Sequence, residues 1–149
     1  MATTPIPRDF REFLRVLNEK RVEYLVIGGY AVAFHGFPRP TGDLDVWISV
    51  QPDNIDKVVE TLREFGFGTC GASPDLFAKP GAIVRMGVPP VRIKIQTRIS
   101  GVTFNECYQH RVTCEVDGEI VNLINIEHLK QNKRAAGRYK DLADLDSLP

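Results

Sequence analysis

Apolar residues recur along the chain with two different periods, and these periods predict the order of helices and strands. Spacings of three and four residues predict helices, whereas strict alternation or a short β-branched run predicts strands. Asp9 is the predicted N-cap of the first helix. The predicted helices are 9–20, 30–35, 52–65, 126–136 and 138–148, and the predicted strands are 23–27, 43–50, 83–87, 91–97, 112–116 and 120–123. Because helices and strands alternate before the later strands cluster, we expect an α/β (α+β mixed) fold with a mixed sheet.

Composition supports one ordinary globular domain over residues 1–149, with 43% hydrophobic and 26% charged residues. Lys and Arg number 19, as do Asp and Glu, so any polyanion must be attracted by local charge and not by net charge. The three cysteines have no Cys-x-x-Cys spacing, which argues against a zinc site or a disulfide framework. No apolar run reaches the ~20 residues that span a bilayer, and the first nine residues do not resemble a signal peptide. We therefore expect a cytoplasmic protein without a membrane partner.

Two carboxylates and two glycines are the first candidates for chemistry. Asp43 and Asp45 lie two residues apart on a predicted strand, so both project from one face, where they could share Mg²⁺ or Mn²⁺. Gly28 and Gly29 follow a strand and precede a helix, where a backbone without side chains can approach a phosphate. Each pair alone also has a purely structural explanation: the aspartates are typical of a solvated strand face, and the glycines of a simple turn. Their occurrence together favours a phosphate and metal site.

The combined pattern resembles the signature of the nucleotidyltransferase superfamily. Residues 25–29, a hydrophobic strand ending in Gly-Gly, precede residues 43–46, which have the Asp-x-Asp pattern on a hydrophobic strand. Arg39 and Thr41 complete an Arg-x-Thr-x-Asp-x-Asp form that is similar to the minimal and AbiEii-like members of bacteria and archaea. Residues 133–141 are similar to a Lys…Gly-Arg-x-Lys-Asp segment of the same group, so the resemblance covers nearly the whole chain.

The resemblance implies a short mixed sheet flanked by helices, with an NTP and Mg²⁺ (or Mn²⁺) bound over the carboxylates. It also implies transfer of a nucleoside monophosphate to a hydroxyl of a protein, an RNA or a small molecule, with release of pyrophosphate. By position, Asp43 and Asp45 would hold the metal and act in catalysis. The residues that would contact the nucleotide by the same argument are Gly28, Gly29, Arg39, Thr41 and Lys133. Arg39 and Thr41 could instead brace the loop before the Asp-x-Asp strand.

Lys94 stands where related sequences have a third carboxylate. Residues 91–97 alternate, so Lys94 is expected on the face opposite the apolar one, and no acid occurs from 76 to 105. An ammonium near the carboxylate pair could compete with a cation or contact an NTP phosphate itself, but it cannot ligate Mg²⁺. Three interpretations remain: a degenerate transferase, a site with one metal plus Lys94 and reduced activity, or a shifted register in which Glu106 or Glu115 completes the site.

Other residues have two interpretations each. A basic cluster could bind triphosphate or a tRNA-like acceptor, or it could be a solvated helix face; it consists of Lys130, Lys133, Arg134, Arg138 and Lys140. Trp47 could stack on a base or pack against a helix. His35 is expected to make a helix-end or half-buried contact and not to bind a metal.

Two functions are compatible with these observations. The first is a nucleotidyltransferase of reduced activity, and the alternative is a catalytically inactive binding module, such as the regulatory or antitoxin half of a toxin–antitoxin pair. Lys94 favours the alternative, whereas the intact glycine and aspartate motifs favour the enzyme. Because the chain is small, a homodimer or a partner chain could supply the wall that holds an acceptor.

Overall fold

A six-stranded mixed sheet forms the centre of the structure, a computed structural model that describes residues 6–37, 41–67, 73–88 and 91–149. The strands lie in the order β3-β4-β2-β1-β6-β5. They are β1 (Tyr24–Ile27), β2 (Asp43–Ile48), β3 (Ile83–Met86), β4 (Arg92–Gln96), β5 (Val112–Val116) and β6 (Glu119–Leu123). All six strands were predicted from the hydrophobic pattern, and the mixed α/β fold class is confirmed.

Six α-helices accompany the sheet in the described part of the chain: α1 (Arg8–Glu19), α2 (Gly28–Phe34), α3 (Pro52–Leu62), α4 (Phe104–Gln109), α5 (Ile126–Ala136) and α6 (Tyr139–Ser147). A π-helical turn, Arg63–Phe67, follows α3, and a 3₁₀ turn, Pro74–Phe77, precedes β3. None of the helices among the described residues has the length and apolar character needed to cross a membrane.

Two details of the helices differ from the sequence-based expectation. Pro7, not Asp9, is the N-cap of α1, and it makes no side-chain hydrogen bond to the helix. Proline fits this position because its ring restricts φ to about −65°, close to the observed −56°. Asp9 lies in the first turn instead, where a negative charge suits the helix dipole. Helix α4 was not predicted, because six residues give too short a periodic pattern.

The hydrophobic core joins the sheet to the helices on the apolar face of each element. All four residues of β1 are buried, as expected for a central strand. In β2 the buried Leu44 lies between the two aspartates, and the buried Val46 follows the second. Helix α1 buries its predicted apolar stripe: Phe10, Phe13, Leu14 and Leu17. This packing fixes the register of β2, since a shift by one residue would turn its apolar side chains to the opposite face.

Strand register places the acidic face of β2 beside a basic strand. Strand β2 pairs antiparallel with β1 and parallel with β4, and β4 pairs antiparallel with the edge strand β3. Asp43 lies opposite Arg92, and Asp45 lies opposite Lys94. Lys94 in turn lies opposite Arg85 on β3. The predicted register of Lys94 relative to the aspartates is therefore confirmed.

Candidate functional site

Strand β1 turns directly into α2 at Gly28, and this bend touches the second aspartate. Gly28 has a φ of +68°, a left-handed conformation that side-chain-bearing residues rarely adopt. A Cβ atom added to Gly28 would lie 2.1 Å from Oδ2 of Asp45. Glycine is thus required twice, by the backbone conformation and by the approach of the carboxylate. Gly29, the next residue, is buried in the first turn of α2.

Asp45 is an incompletely satisfied carboxylate. Its side chain is 16% exposed, and its Oδ1 atom lies 3.7 Å from the Lys94 ammonium nitrogen. Within the described residues this buried oxygen has no hydrogen-bond partner. Burial raises the pKa of Asp45 above its ordinary value, although the charge of Lys94 opposes the shift. A buried acceptor without a donor is costly in a folded protein, so it marks a position that a ligand could satisfy.

Asp43 has the opposite environment. Arg92 donates two hydrogen bonds to it, from Nε to Oδ1 at 2.7 Å and from an Nη to Oδ2 at 3.1 Å. These hydrogen bonds lower the pKa of Asp43 and hold the carboxylate in one orientation. Thr41 Oγ1 donates to the backbone carbonyl of Asp43 at 3.3 Å, which fits its predicted bracing role. Arg39, the other predicted residue of this loop, lies outside the described residues.

A cleft of about 660 Å³ opens beside Gly28 and Asp45. Six cationic side chains line it, whereas Asp45 is the one acidic side chain among its described lining residues. Apolar surface comes from isoleucines on β1 and β3, and polar side chains come from Gln96 and Asn132. The six cations are Arg85, Lys94, Arg98, Lys133, Arg138 and Lys140. Such an excess of positive charge in a concave site attracts anions.

Lys133 has a structural environment that the sequence did not indicate. Its side chain is 4% exposed, and its ammonium lies 3.2 Å from Asp141 and 3.0 Å from Asp144. Arg138 also donates to Asp141, at 2.7 Å. Burial disfavours the charge of Asp141, but the hydrogen bonds from Arg138 and Lys133 outweigh it and lower the pKa. The cluster joins α5 to α6 at the edge of the cleft, and a contact of Lys133 with nucleotide stays a prediction.

The structure decides two of the open alternatives. Trp47 is 2% exposed and packs edge-on against Phe104 with ring centroids 5.2 Å apart, so it packs in the core and does not stack on a base. His35 makes the expected half-buried contact, with Nε2 2.7 Å from the carbonyl oxygen of Ile124.

Neither proposed substitute for the third carboxylate lies at the site. Glu106 is exposed on α4, and Glu115 is exposed on β5, the outer strand on the opposite side of the sheet from β4. Neither lines the cleft. The interpretation based on a shifted register is therefore wrong.

Several cleft residues were not predicted as site residues. Arg85 and Arg98 belong to the acid-free stretch 76–105. The sequence shows that this stretch is basic, but only the sheet topology shows that these two side chains reach the cleft. Asn132 donates to the carbonyl oxygen of Ser100 at 3.0 Å, which connects α5 to the loop after β4. Lys130 and Arg134 of the predicted basic cluster are not among the residues that line the cleft.

The carboxylates of Asp45, which lines the cleft, and of Asp43, which is not among the lining residues, fit one hard cation and not two. Asp45 offers a buried carboxylate oxygen without a hydrogen-bond donor, the kind of ligand that Mg²⁺ prefers. Both oxygens of Asp43 already accept from Arg92, although each retains a second lone pair. Lys94, which lies opposite Asp45 on β4, adds an ammonium there, and an ammonium has no lone pair with which to ligate a cation. Among the described residues, no three His, Cys, Asp or Glu side chains cluster closely enough to hold a metal.

The mixed sheet, the glycine bend and the aspartate pair define a nucleotidyltransferase fold. A crystal structure described as "a putative nucleotidyltransferase" from Thermotoga maritima superimposes with a TM-score of 0.60 at 16% identity, over 94% of this chain and 89% of that one. Residues 7–149 match the family described as nucleotidyl transferase of unknown function (DUF2204). The chain therefore belongs to this family of the nucleotidyltransferase superfamily. No curated protein matches the sequence.

Proposed function

We propose that this protein binds a nucleoside triphosphate in the cationic cleft and transfers the nucleoside monophosphate to a hydroxyl of a protein or an RNA. The observation that carries the proposal is the juxtaposition of Gly28 and the unsatisfied Asp45 in the lining of a cleft with six cations. Membership of a nucleotidyl transferase family supports this choice over other phosphate ligands.

The cleft suits a triphosphate in size and in charge. Its volume of about 660 Å³ falls among those of ordinary small-molecule sites, roughly 300–1,000 Å³. Arg85, Arg98 and Lys140 line it without an ion-pair partner among the described residues, so their charges are available to phosphate oxygens. Ile83 and Ile99 offer apolar surface against which a base could lie.

Each site residue has a defined task in this proposal. Asp45, together with Asp43, would hold one Mg²⁺ or Mn²⁺, which when bound offsets the negative charge that develops during phosphoryl transfer. The absence of a side chain at Gly28 leaves room for the Asp45 carboxylate to lie against the bend. Arg92 keeps Asp43 ionised and oriented. Lys94 opposes the cation at Asp45, because the two positive charges repel, and we therefore expect a slow enzyme.

An inactive binding module is the second candidate, and one observation favours it. Both aspartates are ion-paired, and Lys94 replaces the carboxylate that would accept the proton of an attacking hydroxyl. Such a protein would bind nucleotide without turnover and could act as the regulatory half of a toxin–antitoxin pair.

Labelled nucleotides separate the two candidates. We expect that incubation with Mg²⁺ or Mn²⁺ and labelled ATP, GTP, CTP or UTP transfers label to protein or RNA from one of the four. Asp45→Asn should abolish this transfer, whereas Asp56→Asn, an exposed change on α3, should not affect it. Nucleotide binding without transfer would support the inactive module. Absence of both binding and transfer would contradict the proposed function.

A further inference from the structure

Three of the side chains that line the cleft form a row across adjacent strands. Asp45 on β2 lies opposite Lys94 on β4, and Lys94 lies opposite Arg85 on β3. Paired positions on neighbouring strands direct their side chains to the same face of a sheet. A carboxylate is therefore followed by two cations, and all three line the cleft.

Lys94 lies near Asp45 but donates no hydrogen bond to it. Its side chain is 20% exposed, and the 3.7 Å separation from Asp45 Oδ1 permits charge attraction but exceeds hydrogen-bond distance. An ammonium has three N–H donors, and among the described residues none of those of Lys94 forms a hydrogen bond. These donors remain available to a ligand in the cleft.

The cleft carries more positive charge than the carboxylates beside it neutralise. Lys133 and Arg138 are balanced by the α6 carboxylates, and Lys94 is balanced in part by Asp45. Arg85, Arg98 and Lys140 still contribute uncompensated charge. A divalent cation removes two negative charges from a triphosphate, so a site for the metal complex needs fewer cations than a site for the free anion. The described lining matches the free anion better.

We propose that the triphosphate group enters the cleft as a free anion, before any divalent cation binds at Asp45, and that the Lys94 ammonium and the Arg85 guanidinium contact its phosphate oxygens. The choice of ligand rests on the proposed function. Lys94 supplies, at the place of a metal-binding carboxylate, a fixed positive charge that reaches the same oxygens. Asp45 orients this ammonium and keeps it from moving into solvent.

Calorimetric titration with inorganic tripolyphosphate and with ATP tests this proposal, in EDTA and again in Mg²⁺. The wild-type protein should bind both probes in EDTA with a dissociation constant close to that in Mg²⁺. Lys94→Gln should weaken binding in EDTA by about tenfold or more, the effect of losing one charge-assisted contact. Lys94→Asp should bind only when Mg²⁺ or Mn²⁺ is present. Lys57→Gln, a matched change on α3 outside the cleft, should behave as wild type.

Each contrary result has a separate meaning. Binding by the wild type in Mg²⁺ but not in EDTA overturns the inference and leaves the proposed function standing, whereas no binding in either condition overturns both. Equal weakening by Lys94→Gln and Lys57→Gln overturns the assigned contact, because general electrostatic attraction would then account for binding. Circular dichroism verifies folding, and Arg85→Gln provides a second cleft variant if Lys94→Asp does not fold.

Discussion

Two ion-pair clusters contribute residues to the cleft, and they differ in how completely their hydrogen bonds are satisfied. Lys133 is buried between Asp141 and Asp144 at 3.2 and 3.0 Å. Lys94 approaches Asp45 only to 3.7 Å, and one oxygen of that carboxylate has no hydrogen-bond partner among the described residues. Accordingly, the pKa of Asp141 is lowered, whereas burial raises the pKa of Asp45.

From this difference we expect the Lys133 cluster to stabilise the fold and the pair of Asp45 and Lys94 to bind the proposed ligand. A buried ion pair whose hydrogen bonds are complete resists rearrangement, since removal of one partner leaves the other charged and unpaired. A carboxylate with a raised pKa and an unused oxygen is poorly stabilised in the free protein, and such groups concentrate at functional sites. We therefore expect mutations in the two clusters to have effects of opposite kinds.

The largest effect should come from Lys133→Met. This change leaves Asp141 and Asp144 buried without their shared cation, and breaking a buried pair costs about 3–5 kcal/mol. Urea denaturation should show this loss in the free energy of unfolding. Arg134→Met, an exposed change on the same helix, should cost no more than about 0.5 kcal/mol. Equal losses for the two variants would show that the cluster does not stabilise the fold.

Gly28→Ala should have the next largest effect. A left-handed residue with a Cβ costs about 1–2 kcal/mol, and the overlap with Asp45 Oδ2 should add about 1–3 kcal/mol. Gly118→Ala is the matched control, because Gly118 has a φ of +84° and open space around its missing Cβ. Unfolding measurements should therefore show a greater loss for Gly28→Ala, accompanied by loss of ATP binding. If the two variants lose the same stability, Asp45 does not press against the bend.

Asp45→Asn should stabilise the fold slightly while it removes activity. Because the folded-state pKa of Asp45 is raised, ionisation at neutral pH costs stability, and a neutral side chain avoids that cost. Lys94 loses its partner in this variant, so we expect a gain on the order of only 0.5–1 kcal/mol. Asp141→Asn should instead lower the melting temperature. A lower melting temperature for both variants would remove the distinction between the clusters.

The smallest effect concerns acid stability. Asp43 and Asp141 have lowered folded-state pKa values, so their contributions persist above the ordinary carboxyl pKa of about 4 and are lost as the pH falls through the lowered values. Asp45 has the opposite effect on stability. Because its pKa is raised in the folded state, protonation of Asp45 at acidic pH stabilises the fold. Melting temperatures between neutral and acidic pH should therefore decline less steeply in Asp43→Asn than in the wild type. A steeper decline in that variant would contradict the assigned direction.

The sequence predicted those parts of the site that depend on strand alternation. Asp43 and Asp45 share one face because side chains alternate along a strand, and the buried Leu44 and Val46 that alternate with them exclude a shifted register. The same periodicity on β4 predicted the face on which Lys94 lies, whereas its position beside the aspartates was implied by the family resemblance; in the structure it lies opposite Asp45. Gly28 was recognisable because a strand ends and a helix begins at that residue.

Contacts that depend on tertiary packing were not predictable. The two hydrogen bonds from Arg92 to Asp43 require the exact spacing of parallel strands that are distant in sequence. Lys133 belonged to a charged run typical of a solvated surface, and only the turn at Gly137 brings the α6 carboxylates over it. Arg85 entered the cleft because β3 pairs with β4, a pairing that no local pattern specifies.

A crystal structure of the protein with a non-hydrolysable ATP analogue tests the central claim most directly, because it locates the ligand without depending on turnover. We predict triphosphate density in the cleft, next to Gly28 and within hydrogen-bond distance of Lys94 and Arg85. Nucleotide bound at another surface, or an empty cleft at saturating nucleotide, would contradict the account.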